Sequence, residues 1–224
     1  MDTARIEGIL NEAQSAVDAG QGLGGTGFWK AVGEVKKHPE LADAFADRMA
    51  VIDRRGFENW AMVTLPVGTG TSLALTAVAA GLGAVAGSYY LSEPWNWLLF
   101  GVGTAVLLVP THSLGHLIVG RALGMRFTHW FVGKIQQPQP GVKVDYATYL
   151  RTSARKRAWM HAAGALTTKT IPFLLVPAAR AADLPDWVTW LLLAAGAVMI
   201  ATDVTWSAKA SDWKKFRREM KYAR

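Results

Sequence analysis

The sequence predicts an all-α polytopic membrane protein, with four transmembrane helices, a short β-hairpin-like loop and a helical N-terminal segment. Composition and the placement of charge carry this expectation. Hydrophobic residues make up 51% of the 224 positions and charged residues only 18%. The charge is crowded towards the ends and into one central loop, a membrane rather than a globular distribution. No Asp, Glu, Lys or Arg occurs between Glu58 and Glu93, or between Glu93 and Arg121. Arg157 to Arg180 encloses a third apolar stretch broken only by Lys169, and Asp186 to Lys209 a fourth broken only by Asp203. A spanning helix needs about 20 predominantly apolar residues, and each stretch supplies them. Spans are expected near 62–86, 96–121, 158–179 and 187–207, within a membrane domain over 61–207.

The connections set the expected orientation. Between the second and third spans lie Arg121, Arg126, Lys134, Lys143, Arg151, Arg155, Lys156 and Arg157, against the single acid Asp145. The tail 208–224 is similarly basic, whereas Ser88 to Pro94 carries only Glu93 and Arg180 to Asp186 one arginine against two aspartates. The positive-inside rule then places both termini and the central loop in the cytoplasm. Trp95, Trp97 and Trp187 form an expected outer aromatic belt, and Trp60, Trp159 and Trp206 an inner one. The net charge of +7 is therefore juxtamembrane, suited to a bilayer with anionic headgroups. No recognition chemistry for nucleic acid accompanies it.

Residues 1–60 read as a cytoplasmic helical region. Ile6, Ile9, Leu10, Ala13 and Val17 share one face of a helix over 2–19. The early acids and lysines leave no signal-peptide pattern at the start. Gly22-Leu23-Gly24-Gly25-Thr26-Gly27 matches G-x-G-x-x-G, but no strand precedes it, so a linker is expected rather than a phosphate cradle. A second helix should run from Pro39 to about Arg55, burying Leu41, Phe45, Met49 and Ile52. In the central loop, Gln136 to Gly141 is turn chemistry and Val142 to Tyr146 alternates as a strand. The tail from Ser211 to Arg218 suits a basic interfacial helix.

Ionisable residues inside the spans point to a site. His112 and His116 are four apart, so on a helix both imidazoles reach one ion. From Trp95 to His112 is about 25 Å of helix, and from Trp187 to Asp203 about 24 Å. His161 lies four residues after Arg157. These side chains come from three helices at one depth, and charged groups in spans usually face the bundle interior or a wet cavity. Two imidazoles and a carboxylate with one position open is ordinary zinc coordination. Asp203 has a second possible role, pairing with Lys169, the one lysine inside a span. Zero cysteines exclude thiolate metal sites.

The run from His112-Ser113-Leu114-Gly115-His116 to Arg121-Ala122-Leu123-Gly124 resembles the H-E-x-G-H helix of site-2 proteases, which are intramembrane zinc metalloproteases. The resemblance covers about residues 95–207. It implies that fold, with zinc held by His112, His116 and Asp203, the last in the place of the family's third ligand. His161 and Lys169 are possible additions to the site. Ser113 stands where the family has its general-base glutamate. Asp203 is followed by Val204 rather than glycine, and His161-Ala162-Ala163-Gly164-Ala165 replaces the family's G-P-x-x-N pattern. No catalytic residue is assigned, because a neutral serine cannot take a proton as a carboxylate does. The expectation is a pseudoprotease that recognises transmembrane segments of other proteins or regulates them. The alternatives are an active metallopeptidase with another base and a non-metal membrane module built on the Asp203–Lys169 pair.

Overall fold

A computed structural model describes residues 2–134, 140–205 and 211–223. In chain order it has helices α1 (Thr3–Asp18), α2 (Phe28–Lys37) and α3 (Ala42–Trp60), strand β1 (Val63–Pro66), and helices α4 (Val67–Gly87) and α5 (Trp95–Ala122). Strands β2 (Phe127–Val132) and β3 (Pro140–Val144) follow, then α6 (Tyr146–Arg151), α7 (Ala154–Ala181), α8 (Asp186–Thr205) and α9 (Asp212–Lys221). Two compact units interleave along the chain: Met1–Val67 with Gly120–Arg157 and Glu219–Arg224, and Gly68–Val119 with Ala158–Arg218. These cuts differ from the sequential division at 60 and 207 that the hydropathy suggests. The turn expected over Gln136–Gln139, together with Trp206 and Lys209, lies outside the described residues.

The first unit is helical with a small sheet. The Asp2 carboxylate caps α1 by accepting from the Arg5 amide, and Ile6, Leu10, Ala13 and Val17 are buried along one face. Beyond the glycine cluster, where no element was expected before His38, Phe28–Lys37 forms α2, burying Phe28, Ala31, Val32 and Val35. Gly27, just before it, has φ +77°, a left-handed conformation that side chains resist. Strands β1, β2 and β3 pair antiparallel in that order, with Val63 opposite Val132 and Val132 opposite Pro140. A hairpin was expected from this loop. The third strand, β1, was not, because Val63–Pro66 is apolar enough to read as the start of the first span.

A buried charge cluster ties the end of the chain into this unit. Glu219 is fully buried and accepts from Lys36 Nζ at 2.5 Å and Arg157 Nε at 2.7 Å. Lys36 also lies over the Tyr149 ring, 4.8 Å from its centroid. Burial pushes the Glu219 carboxyl up, but Lys36 and Arg157 outweigh it and hold it below the usual carboxylate range. Its contribution to stability is therefore present above the unfolded-state pKa, about 4.3, and is lost as pH falls through the lower folded value. Glu219→Gln leaves two buried cations without their counter-ion and is expected to cost about 3–5 kcal/mol at neutral pH. Urea melts of wild type and variant, at neutral pH and near pH 3, check this: the gap should narrow in acid.

The second unit holds the apolar helices. Val67–Tyr90, Trp95–Ala122, Ala154–Ala181 and Asp186–Asp203 are each long and apolar enough to cross a membrane, as the four apolar stretches predicted. Val85, Phe100, Leu107, Leu175, Val188 and Leu192 cluster as a core, and Trp97 meets Trp187 edge-on nearby. Towards the other end, α5 and α7 approach through small residues. A Cβ on Gly115 would fall 2.6 Å from Thr167 Oγ1 and 3.0 Å from the Ala163 carbonyl, the close backbone contact typical of membrane helix pairs.

Candidate metal centre

His112 and His116 project from α5 towards α7. The His116 Nδ1 lies 2.8 Å from the Met160 carbonyl oxygen. A carbonyl can only accept, so Nδ1 carries the proton and Nε2 is left with its lone pair. The same logic holds for His112, by one further step. Thr168 Oγ1 donates to the Gly164 carbonyl at 3.0 Å, and so accepts from His112 Nδ1 at 2.9 Å. Both Nε2 atoms thus face inward as acceptors. Hydrogen bonds of this kind fix the tautomer and ring orientation of metal-binding histidines.

The carboxylate that meets them is Asp212, the first residue of α9. Its Oδ2 lies 3.1 Å from His112 Nε2 and 3.1 Å from His116 Nε2, and the two nitrogens are 3.3 Å apart. Three acceptor atoms in so tight a triangle repel one another unless a proton or a metal ion lies between them. A tetrahedral ion with bonds of about 2.0–2.1 Å has ligand–ligand edges of about 3.3 Å, so the triangle has the size of one face of such a site. Among the described residues, these three form the group able to hold a metal ion. The other carboxylate oxygen, Oδ1, is bound by Lys215 Nζ at 3.1 Å, which orients Asp212 from behind. Burial pushes its carboxyl up; with no ion bound, N–H contacts from the two imidazoles and the nearby Lys215 cation outweigh this and hold it well below the usual carboxylate range. The His112 side chain is 36% exposed against 12% for both His116 and Asp212, so the open side of the triangle is the His112 side.

Asp203, expected as third ligand, is elsewhere. It forms an ion pair with Lys169, the second of the two roles that the sequence allowed it. Lys169 Nζ also donates back to the Ala165 carbonyl at 3.2 Å. The physical reason is reach: the long lysine side chain bends one turn back along α7 and neutralises Asp203, leaving the histidines to the carboxylate of α9. His161 does not join the group of potential ligands. Ser113 is 1% exposed, and its hydroxyl has no hydrogen-bond partner among the described residues. Sequence reasoning placed Asp212 in a basic interfacial tail. An acid at the first position of a helix also reads as an ordinary N-terminal charge, which hid it.

Gly164 completes the site by having no side chain. A Cβ there would overlap the His116 imidazole at Nε2. Gly164→Ala is expected to lower metal affinity by about 10–100-fold, the usual loss when a group that positions a ligand is disturbed. Isothermal titration with zinc, beside a circular-dichroism check of helicity, measures this. Comparison with protein-family models, with curated proteins and with solved structures finds no match for the chain.

Proposed function

We propose that this chain is a multi-pass membrane protein that binds zinc through His112, His116 and Asp212, on a scaffold of site-2-protease type with proteolysis impaired or absent. The observation that carries this reading is the triangle of two imidazole nitrogens and one carboxylate oxygen, with edges of 3.1, 3.1 and 3.3 Å. The donor set favours zinc over magnesium or calcium, which prefer oxygen ligands alone. The basic segment 120–157 and the basic tail face the cytoplasm in this reading, as do both termini.

Bound zinc would supply Lewis-acid polarisation at the open, His112 side of the triangle. The chain's own residues hold the ligands in place: Met160 and Thr168 set the tautomers, Lys215 orients Asp212 and Gly164 leaves room for His116. None of these is a carboxylate placed to take a proton from water, and Ser113 has no negative charge to do so. The role then is recognition of transmembrane segments, or their regulation, rather than rapid cleavage. The Lys169–Asp203 pair does not compete with the metal, since the third ligand comes from α9. Metal analysis of purified protein tests the proposal. About one zinc per chain is expected, and a metal-replete preparation with none would reject it.

A further inference from the structure

On the face of α7 turned away from the histidines there is a cavity of about 370 Å³, lined by Leu166, Lys169, Phe173, Ile200, Asp203 and Trp213 among others. It has the size of a small-ligand pocket. At 100° per residue, Met160, Gly164 and Thr168 mark one side of α7, and Leu166, Lys169 and Phe173 the opposite side. The cavity is therefore separate from the metal triangle.

Its wall is apolar apart from the ion pair, which is neutral as a unit, and Thr170, whose hydroxyl donates to the Thr167 carbonyl. Lys169 has three N–H donors, of which Asp203 and the Ala165 carbonyl take two. One donor remains. Trp213 sits at the start of α9, stacked on Phe216 at 5.0 Å, and Phe216 meets Trp159 edge-on. Arg217 is one turn beyond Trp213 on the same side of α9, flanked by Lys214 and Arg218. All three cations are exposed. The two acids of this helix cannot offset them, because Asp212 is held by the histidines and Glu219 by Lys36 and Arg157. An apolar slot thus opens beside an interfacial aromatic, with uncompensated positive charge about one helical turn, ~5 Å, farther along.

We propose that this cavity seats one acyl chain of a bound anionic phospholipid. Leu166, Phe173 and Ile200 line the chain, the remaining Lys169 N–H donates to an ester carbonyl, and Lys214, Arg217 and Arg218 hold the phosphate. Charge complementarity selects the occupant: a zwitterionic lipid would fill the slot equally well but gain less from three cations. The site stands independently of the zinc reading, since none of its residues is a metal ligand.

The full chain, purified in mild detergent and exchanged into nanodiscs of phosphatidylglycerol or of phosphatidylcholine, provides the test. Native mass spectrometry after release should show one retained phosphatidylglycerol per chain, with retention about tenfold above phosphatidylcholine. The double variant Lys214→Glu, Arg217→Glu should abolish that preference. Leu166→Trp fills the slot and should lower retention of both lipids, with zinc content unchanged as the sign of an intact fold. Equal retention of the two lipids by wild type would overturn the proposal. So would unchanged retention in Leu166→Trp, or a photo-crosslinker at position 166 that labels a polypeptide instead of lipid.

Discussion

Asp212→Ala is expected to abolish zinc binding, with a loss of more than about 100-fold in affinity, while removal of Asp203 should leave it intact. A lost ligand costs more than the 10–100-fold typical of its supporting shell. Asp212 Oδ2 closes the triangle with both imidazoles, whereas Asp203 belongs to Lys169. The Asp203 arm needs care, because a lysine left alone in a span is costly whatever happens to the metal. The double variant Lys169→Met, Asp203→Leu removes both charges together, and replacing a buried pair by apolar residues is often neutral. Zinc titration and metal analysis on Asp212→Ala, His116→Ala and this double variant separate the cases. Zinc lost in the double variant and kept in Asp212→Ala would return the third ligand to Asp203.

That experiment bears on what the sequence could and could not say. The spans were legible because each depends only on a local property, a long apolar interval with at most one charge. So was the histidine pair, since i and i+4 on one helix fix their own geometry. Asp203 was placed by depth, counting helical rise from a tryptophan belt. Depth is one coordinate of three, and it cannot tell which way a side chain faces or whether a lysine will reach it first. Asp212 lies beyond the last span, so a count confined to spans passed over it. Strand β1 was missed for a related reason. Val63–Pro66 pairs with residues more than sixty positions away, and a four-residue strand has no periodicity of its own to announce it.

Ser113→Glu is expected to raise hydrolysis of a transmembrane-segment peptide by about 10²–10⁴-fold over wild type, the usual contribution of a positioned general base. Position 113 follows His112 by one residue and precedes His116 by three, about 100° and 60° around α5 from the two ligands. A glutamate is two methylenes and a carboxylate long, enough to extend past the imidazoles to the open side of the triangle, where the short serine cannot. Ser113 is now buried with an unpartnered hydroxyl, so the position already tolerates a polar atom without giving it work. Ser113→Gln has the same size and no base. The two variants should bind zinc alike and differ only in turnover, measured by cleavage of a labelled peptide reconstituted with the protein. Turnover in Ser113→Glu that vanishes in the added His116→Ala background would mark the scaffold as a hydrolase lacking one group. Equal inactivity of both variants with zinc bound would instead mean that the surroundings of the triangle no longer admit a peptide, and the protease-type reading would fall while the metal centre stood.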